Sequence, residues 1–213
     1  MQNQTVSHQK IISIVVFIAA AIMVSLFIYH AKNKQPAVNL ANGQGLIFPA
    51  AKSIAPFELT TTDGTSFTNK NFYHHWTLLY FGFTHCNSFC PATLDMLKKA
   101  YPTLIAKYPN LQVAMISLDP IRDNRAALAK FMQKYNANFI GASGKIEDLR
   151  KLQSQLGVYA EDANTGGADY QLQHTASILL INPRGQWAGI FKFGMSPKEF
   201  IQAFDQSMTS LSA

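Results

Sequence analysis

Cysteine is almost absent from this chain of 213 residues, in which only Cys86 and Cys90 occur. A small scaffold held together by disulfides needs more cysteines than this. The length fits one domain plus an appendage, and with 48% hydrophobic residues that domain can bury a core without covalent crosslinks. Two cysteines four positions apart, with no others, therefore indicate local chemistry rather than a structural framework.

Charged residues are also few, at 14%, and no arginine precedes Arg122. Eighteen Lys and Arg against twelve Asp and Glu leave a net charge of +6. Proteins that bind nucleic acid concentrate basic residues in runs or patches, whereas the lysines here are scattered. We therefore expect a mildly basic domain beside an anionic membrane surface and no nucleic-acid partner.

The N-terminal region contains one long segment without charge, residues 11–29. A helix of that length rises about 30 Å, which matches the hydrocarbon core of a bilayer. A signal peptide has a shorter apolar region and a small-x-small cleavage site, which the following FIYHAKNK does not offer, and the absence of a cysteine there excludes a lipoprotein anchor. We expect a cytoplasmic tail over 1–10, an uncleaved signal anchor over 11–30 and a polar linker over 31–50.

Residues 51–213 carry the pattern of an α/β domain. The pattern predicts a hairpin around Asp63-Gly64, buried strands over 76–83, 111–118 and 175–181, and a fourth strand over 187–193. It also predicts helices that begin near Pro91, at Asp123 or Asn124, near residue 145 and at a capping box formed by Ser196 and Glu199. A polar insertion over 158–173 interrupts the pattern. This order of strands and helices is that of a thioredoxin-like fold with an N-terminal β-hairpin extension.

The two cysteines lie where the first buried strand ends and its helix begins. Ligand sites of open α/β sheets lie at the carboxyl ends of the strands, and a helix N-terminus lowers the pKa of a thiol. Thioredoxin-type oxidoreductases have two residues between their cysteines, whereas this chain has three. The longer loop can bring two thiolates around one ion and leave room for a third ligand.

His174 is the candidate for the third ligand because it directly precedes the strand at 175–181 and so lies at the same sheet edge. Two thiolates and an imidazole suit Cu(I), and a similar set accepts Cu(II). Zinc is an alternative, but structural zinc sites have four protein ligands and only three good ones are present.

Three segments of this chain resemble the Sco family, also called SenC. They are YFGFTHCNSFCPATL (80–94), SLDPIRDN (117–124) and QHTASILLINPRG (173–185), and the resemblance extends in the right order over residues 50–205 and includes the membrane anchor. A lone CxxxC would be weak, but CxxxCP after YFGFTH, followed by DPxRD and then HTAS, is specific.

The resemblance implies a thioredoxin-like protein that binds one copper ion, as Cu(I) or Cu(II), through Cys86, Cys90 and His174. It implies a role in assembling the copper centre of cytochrome c oxidase, with the copper-receiving subunit, other copper chaperones and thiol reductants as partners. It also implies an alternative, a thiol-disulfide reductase with a redox-active pair at Cys86 and Cys90.

The chain departs from the family pattern at three positions. Many members carry Pro and Asp where this chain has Asn87 and Ser88, and many carry Asp where it has Gln173. The loss of these acidic neighbours should change how the protein tunes the bound ion and how it recognises its partner. Copper binding itself should remain, because none of the three positions is a ligand.

Other polar residues near the predicted edge are candidates for supporting the site or for binding a partner. His85 adjoins Cys86, and we expect it beside the ligands rather than among them. Asp119, Arg122 and Asp123 follow the second buried strand and form either an internal ion pair with a helix cap or a partner-docking surface. The pair His74-His75 precedes its strand and should lie at the opposite edge.

His174 separates the functional alternatives. A disulfide reductase needs both cysteines but not the histidine, and a peroxiredoxin-like peroxidase would leave the histidine without an evident role.

The orientation in the membrane depends on two opposed signals. Lys10 precedes the apolar segment and Lys32 and Lys34 follow it, which by the positive-inside rule favours a cytoplasmic domain. The resemblance implies a client whose copper centre lies outside, and the tail lacks the arginines of a transit peptide. We therefore expect a single-pass protein of the bacterial inner membrane with its domain in the periplasm.

Overall fold

The structure, a computed structural model, describes residues 3–32, 37–162 and 170–212. The chain divides into two compact units, Met1–Pro36 and Ala37–Ala213. The first unit contains one long helix, α1 (Asn3–Lys32), and its segment Lys10–Ile28 is long and apolar enough to cross a membrane. The predicted apolar span therefore corresponds to a continuous helix.

The second unit is built on a nine-stranded sheet that combines parallel and antiparallel strands. In chain order its strands are β1 (Val38–Asn39), β2 (Gly45–Ser53), β3 (Glu58–Thr61), β4 (Ser66–Thr68), β5 (Trp76–Gly82), β6 (Leu111–Ser117), β7 (Ile140–Ser143), β10 (Ile178–Ile181) and β11 (Gln186–Phe191). Across the sheet the order is β1-β2-β11-β10-β5-β6-β7-β3-β4. Only the contacts β5–β6 and β6–β7 are parallel. Two further strands, β8 (Ala160–Asp162) and β9 (Leu172–His174), pair as a separate antiparallel ribbon.

Among the described residues of this unit, four α-helices cover the sheet, and local capping signals account for several of their ends. They are α2 (Phe89–Lys107), α3 (Arg125–Gln133), α4 (Ile146–Gln155) and α5 (Pro197–Ser212). Asn124 Oδ1 accepts a hydrogen bond from Ala127 N at 3.0 Å at the start of α3. Ser196 and Glu199 form the reciprocal capping box predicted for α5. Gly157, with a φ of 61°, ends the helical conformation after α4.

The core lies on both faces of the sheet because side chains alternate along each strand. On β5, Leu78 and Tyr80 face one layer with α2, α3 and α5, whereas Leu79 and Phe81 face a second layer with α4. All four of these side chains are buried. The predicted thioredoxin-like order and the β3–β4 hairpin are therefore confirmed.

The linker predicted over 31–50 is wrong for residues 37–50, since the structure places them in the folded domain. Strand β2 pairs with β11, and Leu40 and Ile47 are buried in the core. Pro49, which has no N–H to donate, falls where the β2–β11 pairing skips from Ile47 to Lys52. Residues 33–36 of that predicted linker lie outside the described residues.

The predicted insertion over 158–173 contains most of the β8–β9 ribbon, and residues 163–169 within it lie outside the described residues. Strand β7 was not predicted, and the strand expected from residue 175 begins at Ile178. The ribbon matters for the site because His174 is its last residue, paired with Ala160.

Candidate metal centre

The cysteine loop connects the end of β5 to the first turn of α2. Cys86 lies in the loop with 8% of its surface exposed, and Cys90 is fully buried in the first turn of the helix. The Cys86 N–H donates to Phe83 O at 3.3 Å, and the Cys90 N–H donates to Cys86 Sγ at 3.4 Å. A backbone N–H at the N-terminus of α2 therefore donates a hydrogen bond to the sulfur of Cys86.

Gly82 makes room for the second sulfur. A Cβ atom at this position would lie 3.0 Å from Cys90 Sγ and 2.9 Å from Tyr80 Cε1, closer than side chains pack. The last residue of β5 is thus a glycine because Cys90 packs directly against its backbone.

His174 reaches the cysteines from the ribbon. Its Nε2 lies 3.4 Å from Cys90 Sγ, and its Nδ1 lies 2.9 Å from Thr175 O. A carbonyl oxygen only accepts hydrogen bonds, so Nδ1 carries the proton and the lone pair of Nε2 faces the sulfurs. The ring also packs edge-on against Tyr80 and Phe83. This fixes the imidazole in the tautomer that a metal ligand needs.

The ligand atoms of Cys86, Cys90 and His174 all lie within 4.8 Å of one another. Two ligands on opposite sides of one ion with bonds of about 2.3 Å are separated by no more than about 4.6 Å. A small closing movement would therefore bring all three around one ion, and the sulfur-rich set suits a soft metal.

The two sulfurs have opposite proton affinities. A hydrogen bond from Cys90 lowers the pKa of Cys86 to about 4, although burial opposes this shift. The same hydrogen bond to Cys86, together with burial, raises the pKa of Cys90 well above that of an ordinary thiol. Without metal the site thus contains a thiolate at Cys86 and a thiol at Cys90, and both cysteines are free.

The residues expected beside the site form a second cluster, which ties the loops together. Asp123 accepts hydrogen bonds from Thr84 N at 2.9 Å, from Thr84 Oγ1 and from Ser117 Oγ at 2.7 Å. His85 Nδ1 lies 3.0 Å from Thr84 Oγ1 and 3.8 Å from Asp123 Oδ1. Asp123 therefore holds the cysteine loop to the end of β6, while Asn124 rather than Asp123 caps α3.

The predicted internal ion pair is formed by Asp119 and Arg122. The Arg122 guanidinium stacks over the Tyr170 ring at 3.4 Å, and the Tyr170 hydroxyl donates to Asp119 Oδ1 at 2.6 Å. Gln171 Nε2 also donates to the carbonyl oxygen of His85 at 3.1 Å. The contacts of Tyr170 join the segment before β9 to the loop after β6, and the contact of Gln171 joins it to the loop that contains Cys86.

Two histidine predictions concern residues away from the three ligands. The donor atoms of His85 cluster with Asp119 and Asp123 rather than with the cysteines. His74 and His75 precede β5, at the end of the strand opposite Gly82, and the His74 N–H donates to Pro183 O. Among the described residues, no group of metal-ligating side chains includes that pair.

Sequence reasoning missed Tyr80 and Tyr170. Tyr80 stands inside a continuous apolar strand, and Tyr170 stands in the predicted polar insertion, so neither carried a local signal of contact with the site. The alternation of β5 does place Tyr80 on the same face as α2, which is the one pattern that could have identified it.

Comparison with known proteins decides the family. The model of the SCO1/SenC family matches residues 48–209, three quarters of the chain. This chain belongs to the SCO1/SenC family. SCO1/SenC relatives include the "Putative copper-binding protein" of Stutzerimonas stutzeri, 32% identical over 68% of this chain and 71% of its own length. The mitochondrial "Protein SCO1 homolog" of Homo sapiens is 32% identical over 64% of this chain.

The chain spans about half of the human relative, 46% of its length. Among solved structures, the crystal structure of yeast Sco1 with copper bound is 28% identical, covers 75% of this chain and 90% of the yeast chain, and superposes with a TM-score of 0.68. The SCO1/SenC assignment confirms the resemblance seen in the motifs and the thioredoxin-like fold.

Proposed function

We propose that this SCO1/SenC protein is a copper chaperone that holds one copper ion through Cys86, Cys90 and His174. The observation that carries the proposal is the convergence of two sulfurs and an imidazole nitrogen within 4.8 Å at the carboxyl edge of the sheet. The copper named for the Stutzerimonas relative and bound in the yeast structure supports the choice of metal.

The protonation of the site suggests how copper is taken up. The ion first meets the Cys86 thiolate, which is ionised at neutral pH, and Cys90 then releases its proton and becomes the second ligand. Nε2 of His174 completes the set. Uptake therefore releases one proton per ion from the cysteine pair.

Delivery would proceed from the more accessible side of the site. Cys90 is fully buried, whereas His174 is only half-buried and Cys86 retains a small exposed surface. A ligand of the partner can replace His174 first, while Cys90 still holds the ion. In line with the family resemblance, the proposed recipient is the copper-receiving subunit of cytochrome c oxidase.

A thiol-disulfide reductase is the second candidate function, and the unequal cysteines favour it. A thiolate of low pKa beside a buried thiol is the arrangement of a dithiol reductant, in which the thiolate attacks and the second thiol resolves the mixed disulfide. Oxidation to a Cys86–Cys90 disulfide would remove both sulfur ligands, so copper loading should require reductant.

Copper titration of the full chain in detergent tests the proposal. The reduced wild type should bind one Cu(I) per chain, and Cys86→Ser or Cys90→Ser should abolish tight binding. Loss of a residue that only hydrogen-bonds to a ligand weakens metal binding by roughly 10–100-fold. His174→Ala removes a ligand itself, so it should weaken copper binding by more than that. His75→Ala, at the far end of β5, is the matched control and should bind like wild type.

The same variants distinguish the two functions. A double Cys→Ser variant that keeps full copper would rule out the proposed site. A His174→Ala variant that reduces a disulfide substrate normally and binds copper as tightly as wild type would favour the reductase instead.

We also propose that the apolar helix anchors the protein in the bacterial inner membrane, with the first ten residues in the cytoplasm and the folded unit in the periplasm. The length and composition of Lys10–Ile28 support an anchor. The periplasmic side follows from the proposed client and not from the flanking lysines.

A further inference from the structure

Tyr80 places a hydroxyl group in the buried core behind the metal centre. The side chain is fully buried in the layer between β5 and α2, which also contains Cys90. In the part of the chain that the structure describes, the Tyr80 hydroxyl and Thr93 Oγ1 on α2 are buried oxygens without a hydrogen bond of normal geometry, and Cys90 and Thr93 lie near the phenol. Native proteins keep few such groups, and each one calls for a physical reason.

The Tyr80 ring lies beside two of the three ligands. Its Cε1 atom and Cys90 Sγ border the same space next to Gly82, where an added Cβ would lie 2.9 Å from the carbon and 3.0 Å from the sulfur. On its other side the ring packs against His174, with centroids 6.1 Å apart and planes at 71°. A phenol is protonated at neutral pH, so the Tyr80 hydroxyl is available as a donor.

A buried thiolate needs donors that a thiol does not. The Cys90 N–H donates to Cys86 Sγ, and the sulfur of an uncharged cysteine is only a weak acceptor. Once copper is bound, Cys90 carries negative charge in a fully buried position, where hydrogen bonds to the charged sulfur are strongest. The Tyr80 hydroxyl and the backbone of Phe83 are two donor groups close to this sulfur.

We propose that Tyr80 is a positioning residue of the metal centre, whose hydroxyl donates a hydrogen bond to Cys90 Sγ in the copper-bound state. The inference rests on the proposed function, since it concerns the loaded site. The unpaired phenol of the metal-free protein is then a donor held ready for the thiolate, and its ring fixes the direction from which His174 approaches.

Tyr80→Phe tests this because it removes only the hydroxyl. Tyr101→Phe is the matched control, since Tyr101 is also a largely buried tyrosine of the same core layer, but its ring packs against Phe139. Both variants and the wild type, as full chains in detergent, are compared in Cu(I) affinity at neutral pH, in the sulfur-to-Cu(II) charge-transfer absorption, and in the thermal unfolding of the metal-free protein.

We expect Tyr80→Phe to weaken Cu(I) binding by about tenfold or more, the range seen when a ligand loses its outer partner. The charge-transfer band should move to longer wavelength, because a sulfur without its hydrogen bond gives up electron density more easily. The metal-free variant should unfold at the same temperature as wild type or higher, since an unpaired buried hydroxyl has been removed. Tyr101→Phe should leave the affinity and the band unchanged.

Two outcomes would overturn the proposal while wild type still binds copper. One is a Tyr80→Phe variant with wild-type affinity and absorption. The other is weaker binding with an unshifted band, which would mean that the phenol only shapes the cavity. A wild-type protein that binds no copper would instead refute the proposed function, so the two failures are distinguishable.

Discussion

Two cysteines of one loop have become chemically unlike because of where each stands. Cys86 lies before the helix, where it accepts a backbone N–H and the Cys90 proton, and Cys90 lies inside the first turn behind Gly82. The helix N-terminus and the partner thiol both stabilise negative charge on Cys86. The site therefore contains one reactive thiolate, at Cys86, and one buried thiol, at Cys90.

Alkylation of the metal-free protein should report this difference. Because only the thiolate reacts and the pKa of Cys86 is about 4, the alkylation of Cys86 should stay near its full rate from neutral pH down to about pH 5 and fall below that. In Cys90→Ala the hydrogen bond to Cys86 is lost, so the midpoint of the rate should move upward toward the range of an ordinary thiol. Mass spectrometry of the alkylated peptide measures both profiles.

Cys86→Ala is the complementary variant in that experiment. Cys90 then loses the partner that holds its proton but stays buried, so its alkylation should be slow throughout the neutral range. Rapid labelling of Cys90 in wild type at pH 6 would contradict the assignment of the two sulfurs.

At the level of secondary-structure elements, the site depends on three chain segments held together by carboxylates. Asp123 binds the loop after β5 to the end of β6, and Asp119 reaches the segment before β9 through Arg122 and Tyr170. The predicted alternative of an internal ion pair is therefore what the structure contains, with Tyr170 added to it.

Asp123→Asn should loosen the cysteine loop. The carboxylate accepts three hydrogen bonds, and an amide directs its NH₂ group at one or more of these donors, so the free energy of unfolding should fall by about 1–3 kcal/mol. Copper affinity should fall by about tenfold, because the loop that places Cys86 loses its support. Denaturant unfolding and copper competition measure the two effects.

Glu58→Gln is the control for the loss of one negative charge. Glu58 is exposed in the β3–β4 hairpin and bonds only Ser66 among the described contacts, so its replacement should change the free energy of unfolding by less than about 0.5 kcal/mol. An Asp123→Asn variant as stable as this control would show that the loop does not depend on the carboxylate.

Elements with local signals were predictable, and elements that depend on distant partners were not. The Asp63-Gly64 turn and the Ser196 capping box act within a few residues and are found as expected, and of the two residues predicted to cap α3 the structure uses Asn124. Strand β2 contains glycine, proline and lysine, and only its pairing with β11, far along the chain, makes it a strand. The same reason explains why the β8–β9 ribbon was taken for an insertion.

Ile47→Ala tests whether the segment before residue 51 belongs to the domain. Ile47 is 3% exposed in the core, so its truncation should lower the free energy of unfolding by about 2–4 kcal/mol. Ile121→Ala, at a side chain that is 85% exposed, should cost less than about 0.5 kcal/mol. If the two variants were equally stable, the segment before residue 51 would be a linker and not part of the folded domain.

For the whole molecule, the position of the site follows from the sheet. Strands β5 and β6 are parallel, so the loops that follow them meet at one edge, and the ribbon brings His174 to the same edge. This rule made the two cysteines and the histidine predictable as a group. The proposed contribution of Tyr80 was not predictable, because a periodic pattern assigns a side chain to a face of the sheet but does not reveal which groups its hydroxyl approaches.

The membrane orientation is the last prediction, and it sets the flanking charges against the proposed client. Lys10 precedes the span and Lys32 and Lys34 follow it, so the charge bias alone would keep the folded unit in the cytoplasm. A chaperone for a copper centre on the outer side must have its ligands in the periplasm, and signal anchors with one short polar tail are often marginal in charge bias. Fusing the C-terminal end of the chain to a reporter active only in the periplasm, and in parallel to one active only in the cytoplasm, should give activity with the first and silence with the second. Removing the two positive charges, with Lys32→Gln and Lys34→Gln, should keep the periplasmic reporter as the active one and increase its signal. Activity of the cytoplasmic reporter alone would overturn the orientation and, with it, the assigned client.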